Sequence, residues 1–113
     1  MHEYSVVQAL LGQVERAAAA RGATSVHRVR ISVGELCGVE PALLATAWTT
    51  FRERTICAEA ELDLQAVQAR WACPRCELTV ERGAFLRCTE CGGPARLVQG
   101  DELTLERLEL EVP

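Results

Sequence analysis

The stretch that decides the architecture is residues 72–93, Ala-Cys-Pro-Arg-Cys-Glu-Leu-Thr-Val-Glu-Arg-Gly-Ala-Phe-Leu-Arg-Cys-Thr-Glu-Cys-Gly-Gly. Cys73 and Cys76 are separated by two residues, as are Cys88 and Cys91, and eleven residues lie between the pairs. Two such CxxC units bring four sulfurs to the corners of a tetrahedron, which Zn(II) accepts because its filled d shell imposes no geometry of its own. Gly83 between the pairs and Gly92-Gly93 after the second allow the sharp backbone turns that a metal-bound pair requires. Four protein ligands leave no open position, so zinc here is structural. Two disulfides, a redox CxxC and a rubredoxin-like iron site are the competing readings. The knuckles are closer together than in rubredoxin-like sites and lack their aromatic packing. The module at 72–98 has only short apolar runs (Leu78 and Val80; Phe85 and Leu86; Leu97 and Val98), too few to fold without the metal.

Outward from the module, apolar periodicity sets the rest. Val7, Leu10, Leu11, Val14, Ala17 and Ala18 recur at helical spacing, so residues 5–21 are expected to form a helix. Ser5 and Gln8 read as its capping box and Gly22 as its C′ residue, which leaves residues 1–4 extended in front of the helix. Residues 26–33 alternate as a half-buried strand, with Val29, Ile31 and Val33 inward. His27 at its start reads as a structural histidine on that apolar face. Glu40-Pro41 opens a second helix with the buried stripe Leu44, Ala47, Trp48 and Phe51, running to about Glu53. Leu62, Leu64 and Ala66 followed by Val67, Ala69 and Trp71 predict one strand with a bulge. Leu103 and Leu105 followed by Leu108 and Leu110 predict a last strand that slips phase in the same way and returns to the main sheet. The expected fold is α+β: two helices on a small three-stranded sheet, with a zinc-ribbon module inserted before the last strand. The expected division is residues 1–71 plus 99–113 against residues 72–98.

Composition narrows the chemistry. The chain has 113 residues, a formal net charge of −4, 49% hydrophobic and 4% aromatic residues, too acidic and too poor in aromatics for a nucleic-acid platform. The module itself balances Arg75, Arg82, Arg87 and Arg96 against Glu77, Glu81 and Glu90, a single excess positive charge. All 12 basic residues are arginine, which excludes P-loop and Schiff-base lysines. No paired carboxylates, nucleophile motif or phosphate loop stands out, so an enzyme is not expected. No run is long enough to span a membrane and no secretory signal is visible; with the thiolate usage, this predicts a cytoplasmic protein.

The amino terminus carries a second donor set. A free α-amine at Met1, the backbone nitrogen and imidazole of His2, and Glu3 together close adjacent chelate rings. A deprotonated amide is a strong-field donor that suits square-planar Ni(II) or Cu(II). An N-terminal His is, by itself, more often simply a solvated residue.

With both motifs placed, the chain resembles the HypA/HybF family of hydrogenase maturation nickel metallochaperones. The resemblance runs through Met1-His2-Glu3-Tyr4-Ser5, close to the family's MHE-x-S, and through residues 26–48 (VHRVRISVGELCGVEPALLATAW), then through AELDLQAV at 60–67, the paired CxxC units and GDELTLERLELEV at 100–112. It implies nickel binding at Met1, His2 and Glu3 and structural zinc at Cys73, Cys76, Cys88 and Cys91. It also implies Ni(II) delivery to the apo large subunit of [NiFe]-hydrogenase, with urease a second recipient in some organisms. The implied partners are the nickel-binding GTPase HypB and the hydrogenase large subunit, with a homodimer left open. Tyr4 stands where the family more often has Met or Leu. Glu35, Cys37 and Cys57 receive no role. The rival readings are a zinc-ribbon module that binds nucleic acid or protein, and a rubredoxin-like electron carrier.

Overall fold

A computed structural model describes residues 2–82 and 85–113, the side chain of His2 excepted. The element order is α1 (His2–Ala20), β1 (Ser25–Gly34), α2 (Pro41–Phe51), β2 (Glu61–Val67), β3 (Arg70–Ala72), β4 (Thr79–Val80), β5 (Arg96–Gln99) and β6 (Leu103–Glu111). Two three-stranded sheets result, in the orders β2-β1-β6 and β4-β3-β5. β1 runs parallel to β2 and antiparallel to β6, so the central strand is the one with the unbroken Val and Ile face. Both helices cover that face. Val7, Leu10, Leu11, Val14 and Ala18 of α1 and Leu44, Ala47 and Trp48 of α2 form one buried core with Val26, Val29, Ile31 and Val33. The indole N–H of Trp48 donates to the carbonyl of Ala60 at 3.2 Å, so the largest core side chain leaves no buried donor unpaired.

The helix ends follow their residues at three of four termini. At the end of α1, Gly22 has φ +65° and its N–H bonds to Ala19 O, while the N–H of Ala23 bonds to Ala18 O. That is a Schellman closure, and the left-handed residue is the glycine that carries no Cβ penalty. α2 starts on Pro41 and closes with the Arg52 N–H on Trp48 O. The start of α1 departs from expectation. The helix begins at His2, so Ser5 lies within it and does not cap it. Residues 2–4 are therefore wound, not extended.

Two further expectations change. The phase slip after Ala66 is not a bulge in one strand. β2 ends at Val67 and β3 begins at Arg70 in the other sheet, so the two apolar phases face two different cores. His27 does not lie on the buried face. A register shift between Val26 and Arg28 makes it the extra residue of a bulge, and its Nε2 sits 3.3 Å from the Glu111 carboxylate on the surface. The shift in β6 falls where the leucine spacing placed it. Leu105 pairs with Ile31 and Arg107 with Arg30, so Glu106 is the extra residue.

The chain leaves the first sheet after Val67 and re-enters at Leu103, and the two passages cross under the end of β1. Gly34 N–H bonds to Glu102 O, Glu35 N–H to Val67 O and Leu36 N–H to Gly100 O. A Cβ on Gly100 would lie 2.5 Å from the Ala69 Cα, and one on Gly34 would lie 2.5 Å from the Gly100 carbonyl. Gly100 also has φ +101°. Gly100→Ala is expected to destabilise the fold by more than about 2 kcal/mol, because backbone here meets backbone and cannot yield. Urea denaturation checks it, and a loss within about 0.5 kcal/mol would contradict it.

Candidate metal centre

The ribbon is built from two knuckles of the same design. In the first, Cys73 N–H bonds to Leu78 O and Glu77 N–H to Cys73 O, each at 2.9 Å. In the second, Cys88 N–H bonds to Gly93 O and Gly92 N–H to Cys88 O, again at 2.9 Å. The residue after each pair turns left-handed: Gly92 at φ +70° and Glu77 at φ +59°. Glycine adopts that conformation freely, whereas Glu77 holds it at a cost that the closed knuckle must offset. Backbone amides point at the sulfurs, with Cys76 N–H on Cys73 Sγ, Glu90 N–H on Cys88 Sγ and Gly93 N–H on Cys91 Sγ, each at 3.4 Å.

The four Sγ atoms of Cys73, Cys76, Cys88 and Cys91 lie within 4.8 Å of one another, and Cys73 Sγ is 3.6 Å from Cys91 Sγ. A tetrahedron with Zn–S bonds of about 2.3 Å has sulfur–sulfur edges of about 3.8 Å. The residues present therefore fit a four-thiolate site. Their electrostatics agree. The Cys76 N–H and neighbouring donors pull the Cys73 thiol down to about 7. Cys76, hydrogen-bonded to the same sulfurs, is pushed up to about 12. Four thiolates cannot gather at this separation without a cation among them. The other two cysteines are elsewhere: Cys57 is fully buried in the main core, where desolvation raises its thiol to about 11, and Cys37 packs at that core's edge.

Met1 and the His2 side chain lie outside the described residues. Glu3, in the first turn of α1, accepts a hydrogen bond from the Glu40 N–H at 3.4 Å, at the start of α2. Tyr4 packs edge-on against Phe51, with ring centroids 5.1 Å apart. The first turn of α1 is thus fastened to both ends of α2.

Between this corner and the ribbon runs a cleft of about 480 Å³ whose walls include Glu40, Pro41, Val67, Glu35 and Arg82. Sequence reading gave Glu35 no role, yet it is the joint of the molecule. Its carboxylate accepts from the Ala69 N–H at 2.8 Å and pairs two-pronged with the Arg82 guanidinium, Nη1 to Oε2 at 2.9 Å. Arg82 also donates to Ala69 O and lies over the Trp71 ring, 5.3 Å from its centroid. A contact spanning 47 residues leaves no local trace in the sequence. The Arg82 hydrogen bonds, then that of Ala69, hold the Glu35 carboxyl below its ordinary range. A depressed carboxyl contributes stability above its unfolded pKa and loses it as pH falls through the folded value. The ribbon is therefore expected to stay docked at neutral pH and to lose this contribution only as pH falls through the lowered Glu35 value. Glu35→Gln is expected to free it at neutral pH, read as faster independent tumbling of ribbon amides in ¹⁵N relaxation.

The family model described as "Hydrogenase/urease nickel incorporation, metallochaperone, hypA" matches residues 1–110. The hydrogenase maturation factor HypA of Shewanella halifaxensis is 41% identical over 113 residues, covering 98% of each chain. That of Aquifex aeolicus is 39% identical over 114 residues, covering 99% of each. The solution structure of the Ni metallochaperone HypA from Helicobacter pylori superposes with a TM-score of 0.77 at 29% identity, covering 98% of both chains. A second solution structure, titled as HypA protein, gives 0.81 at 31% identity, covering all of this chain and 98% of the other. A whole-length family match, the two-helix fold and the four-cysteine cluster agree: the chain belongs to the HypA family of nickel metallochaperones for hydrogenase maturation, which are not enzymes.

Proposed function

We propose that this chain binds Ni(II) at its amino terminus through Met1, His2 and Glu3 and hands it to the apo large subunit of [NiFe]-hydrogenase. In the same reading Cys73, Cys76, Cys88 and Cys91 hold a structural zinc. The observation that carries it is the separation of two donor sets of opposite character. The sulfur set is closed and pinned by backbone amides, suited to a metal that stays. The terminal set belongs to the chain end that leads into α1, where donors would be exchanged singly with a recipient. Among the described residues Glu3 is engaged by one 3.4 Å hydrogen bond, weak enough to give way to a cation. The unit comprising 1–71 plus 99–113 would carry nickel and residues 72–98 would shape the docking face.

The partners in this reading are the nickel-binding GTPase HypB and the hydrogenase large subunit, in the cytoplasm, where thiolates stay reduced. Among the described residues no helix is long and apolar enough to cross a membrane. The test is transfer: nickel-loaded chain mixed with apo large subunit, separated and assayed for metal. Nickel should move to the subunit from the native chain and not from His2→Ala. Retention of nickel on the native chain, or equal transfer by the variant, would overturn the reading.

A further inference from the structure

The face of the first sheet that carries no helix has a surplus of donors at one place. Its cross-strand rows read Glu61–Arg28–Glu109, Asp63–Arg30–Arg107 and Gln65–Ser32–Thr104. In the first row Arg28 is satisfied on both sides, at 3.1 Å to Glu61 and 3.0 Å to Glu109. In the second row Arg30 gives Nε to Asp63, at 3.0 Å, and its two Nη groups have no acceptor among the described residues. Its other neighbour is Arg107, a like charge directly opposite, an arrangement that destabilises a sheet. Arg107 makes no hydrogen bond or ion pair among the described residues. The nearby Glu106 carboxylate is engaged by the Ser32 hydroxyl at 2.9 Å.

The bulge at Glu106 creates this placement. Without the extra residue, the leucine alternation of β6 would not turn Arg107 toward the open face beside Arg30. Arg28, Arg30, Arg107 and Glu109 line a hollow of about 200 Å³. We propose that this hollow is a docking point for an acidic side chain of a partner protein, its carboxylate bridging Arg30 and Arg107. The inference goes beyond the nickel reading and rests on the sheet face alone.

Charge selects the occupant. Glu61, Asp63, Glu106 and Glu109 surround the arginines, and the chain carries −4 overall, so a polyanion is repelled while one carboxylate is accepted. Exposed arginines gain little from a small free anion in water. A carboxylate delivered by a protein surface that also covers the exposed Gln65 and Thr104 is desolvated on docking and gains more. Arg30 and Arg107 can present a planar fork to it.

The experiment is a ¹⁵N NMR titration of the arginine Nε–H signals with a capped tetrapeptide of one Glu and three Ser. Its Gln counterpart and sodium acetate at equal carboxylate concentration serve as controls. The acidic peptide is expected to shift Arg30 and Arg107 saturably, with at least about tenfold weaker binding to Arg107→Gln and none lost in Arg16→Gln. Arg107→Gln removes the like-charge pair, so its melting temperature should be no lower than that of the native chain, which separates lost docking from lost folding. Absence of saturable shifts, or equal weakening in both variants, would overturn the proposal. So would equal shifts with acetate, an adventitious ion only. Self-association in sedimentation that Arg107→Gln abolishes, without peptide shifts, would assign the face to a second copy of the chain instead.

Discussion

Chelating the metal from the four-thiolate cluster is expected to unfold the ribbon outright while the helix-covered sheet stays folded. The reason lies in how little else holds the ribbon. Among the described residues its buried side chains are Cys73, Val80 and Cys88, so two of the three belong to the proposed zinc set. The apolar side chains that could have made a core are at the surface: Phe85 is 91% exposed, Val98 58% and Leu78 44%. β4 is two residues long and β3 three, too short to stand as a sheet alone. Structural zinc contributes about 10–16 kcal/mol apparent in small modules of this kind, far more than one buried valine. In ¹⁵N–¹H spectra, amides of residues 73–93 should collapse to random-coil positions on metal removal, while those of α1 and β1 keep theirs. Cys88→Ser should do the same without a chelator. A ribbon that stays dispersed when metal-free would contradict the zinc assignment and favour disulfides.

The pH dependence has a definite sign. Metal binding requires all four sulfurs as thiolates, and Cys76 without metal is held protonated up to about 12 by its neighbours. Zinc must displace those protons, so its affinity falls as pH falls, and the acid limit of ribbon stability is set by proton competition at sulfur. The docking pair of Glu35 and Arg82 fails only below the ordinary carboxylate range. Zinc loss and undocking should therefore be separable by the Glu35→Gln variant, which undocks an intact, zinc-loaded ribbon.

What could be read from the chain follows the range of the interactions involved. The CxxC pairs, the Pro41 helix start and the Gly22 closure are local, and each appears in the structure as its residues dictate. The slip from Leu105 to Leu108 was readable as a bulge because β6 stays in one sheet on both sides of it. The similar slip after Ala66 had a different cause, a change of sheet, and periodicity does not distinguish the two. The Ser5–Gln8 pattern satisfied a capping rule, yet the helix runs on to His2. Tyr4 in the first turn packs on Phe51 of α2, a contact that the capped alternative would forgo, and a cap contributes only roughly 1 kcal/mol. Glu35 with Arg82, and Gly34 with Gly100, join positions 47 and 66 residues apart, and such pairs leave no mark in a single sequence.

Nickel binding is expected to vanish with any change that removes either the free amine or the His2 imidazole. In isothermal titration of zinc-loaded, untagged protein, the native chain should bind one Ni(II). His2→Ala and a chain extended by one residue at the amino terminus should each bind at least about 100-fold more weakly, about 2.7 kcal/mol. The extension keeps every side chain and destroys only the chelate geometry, so its loss would place the amine in the coordination sphere. Glu3→Gln tests a subtler point. Both helix starts meet at Glu3, and their positive dipole ends oppose a cation there. The Glu3 carboxylate offsets that field while holding the Glu40 N–H, and an amide side chain keeps the hydrogen bond without the charge. Glu3→Gln should thus retain the fold of the corner and lose affinity in part. Protons compete at the imidazole, whose reference pKa is about 6.5, so native affinity should fall as pH drops through that value and plateau above it. Three chains binding alike, or an affinity indifferent to pH between 5 and 8 on the order of experimental error, would move the nickel site away from the terminus and leave the ribbon and the sheet face as the molecule's working surfaces.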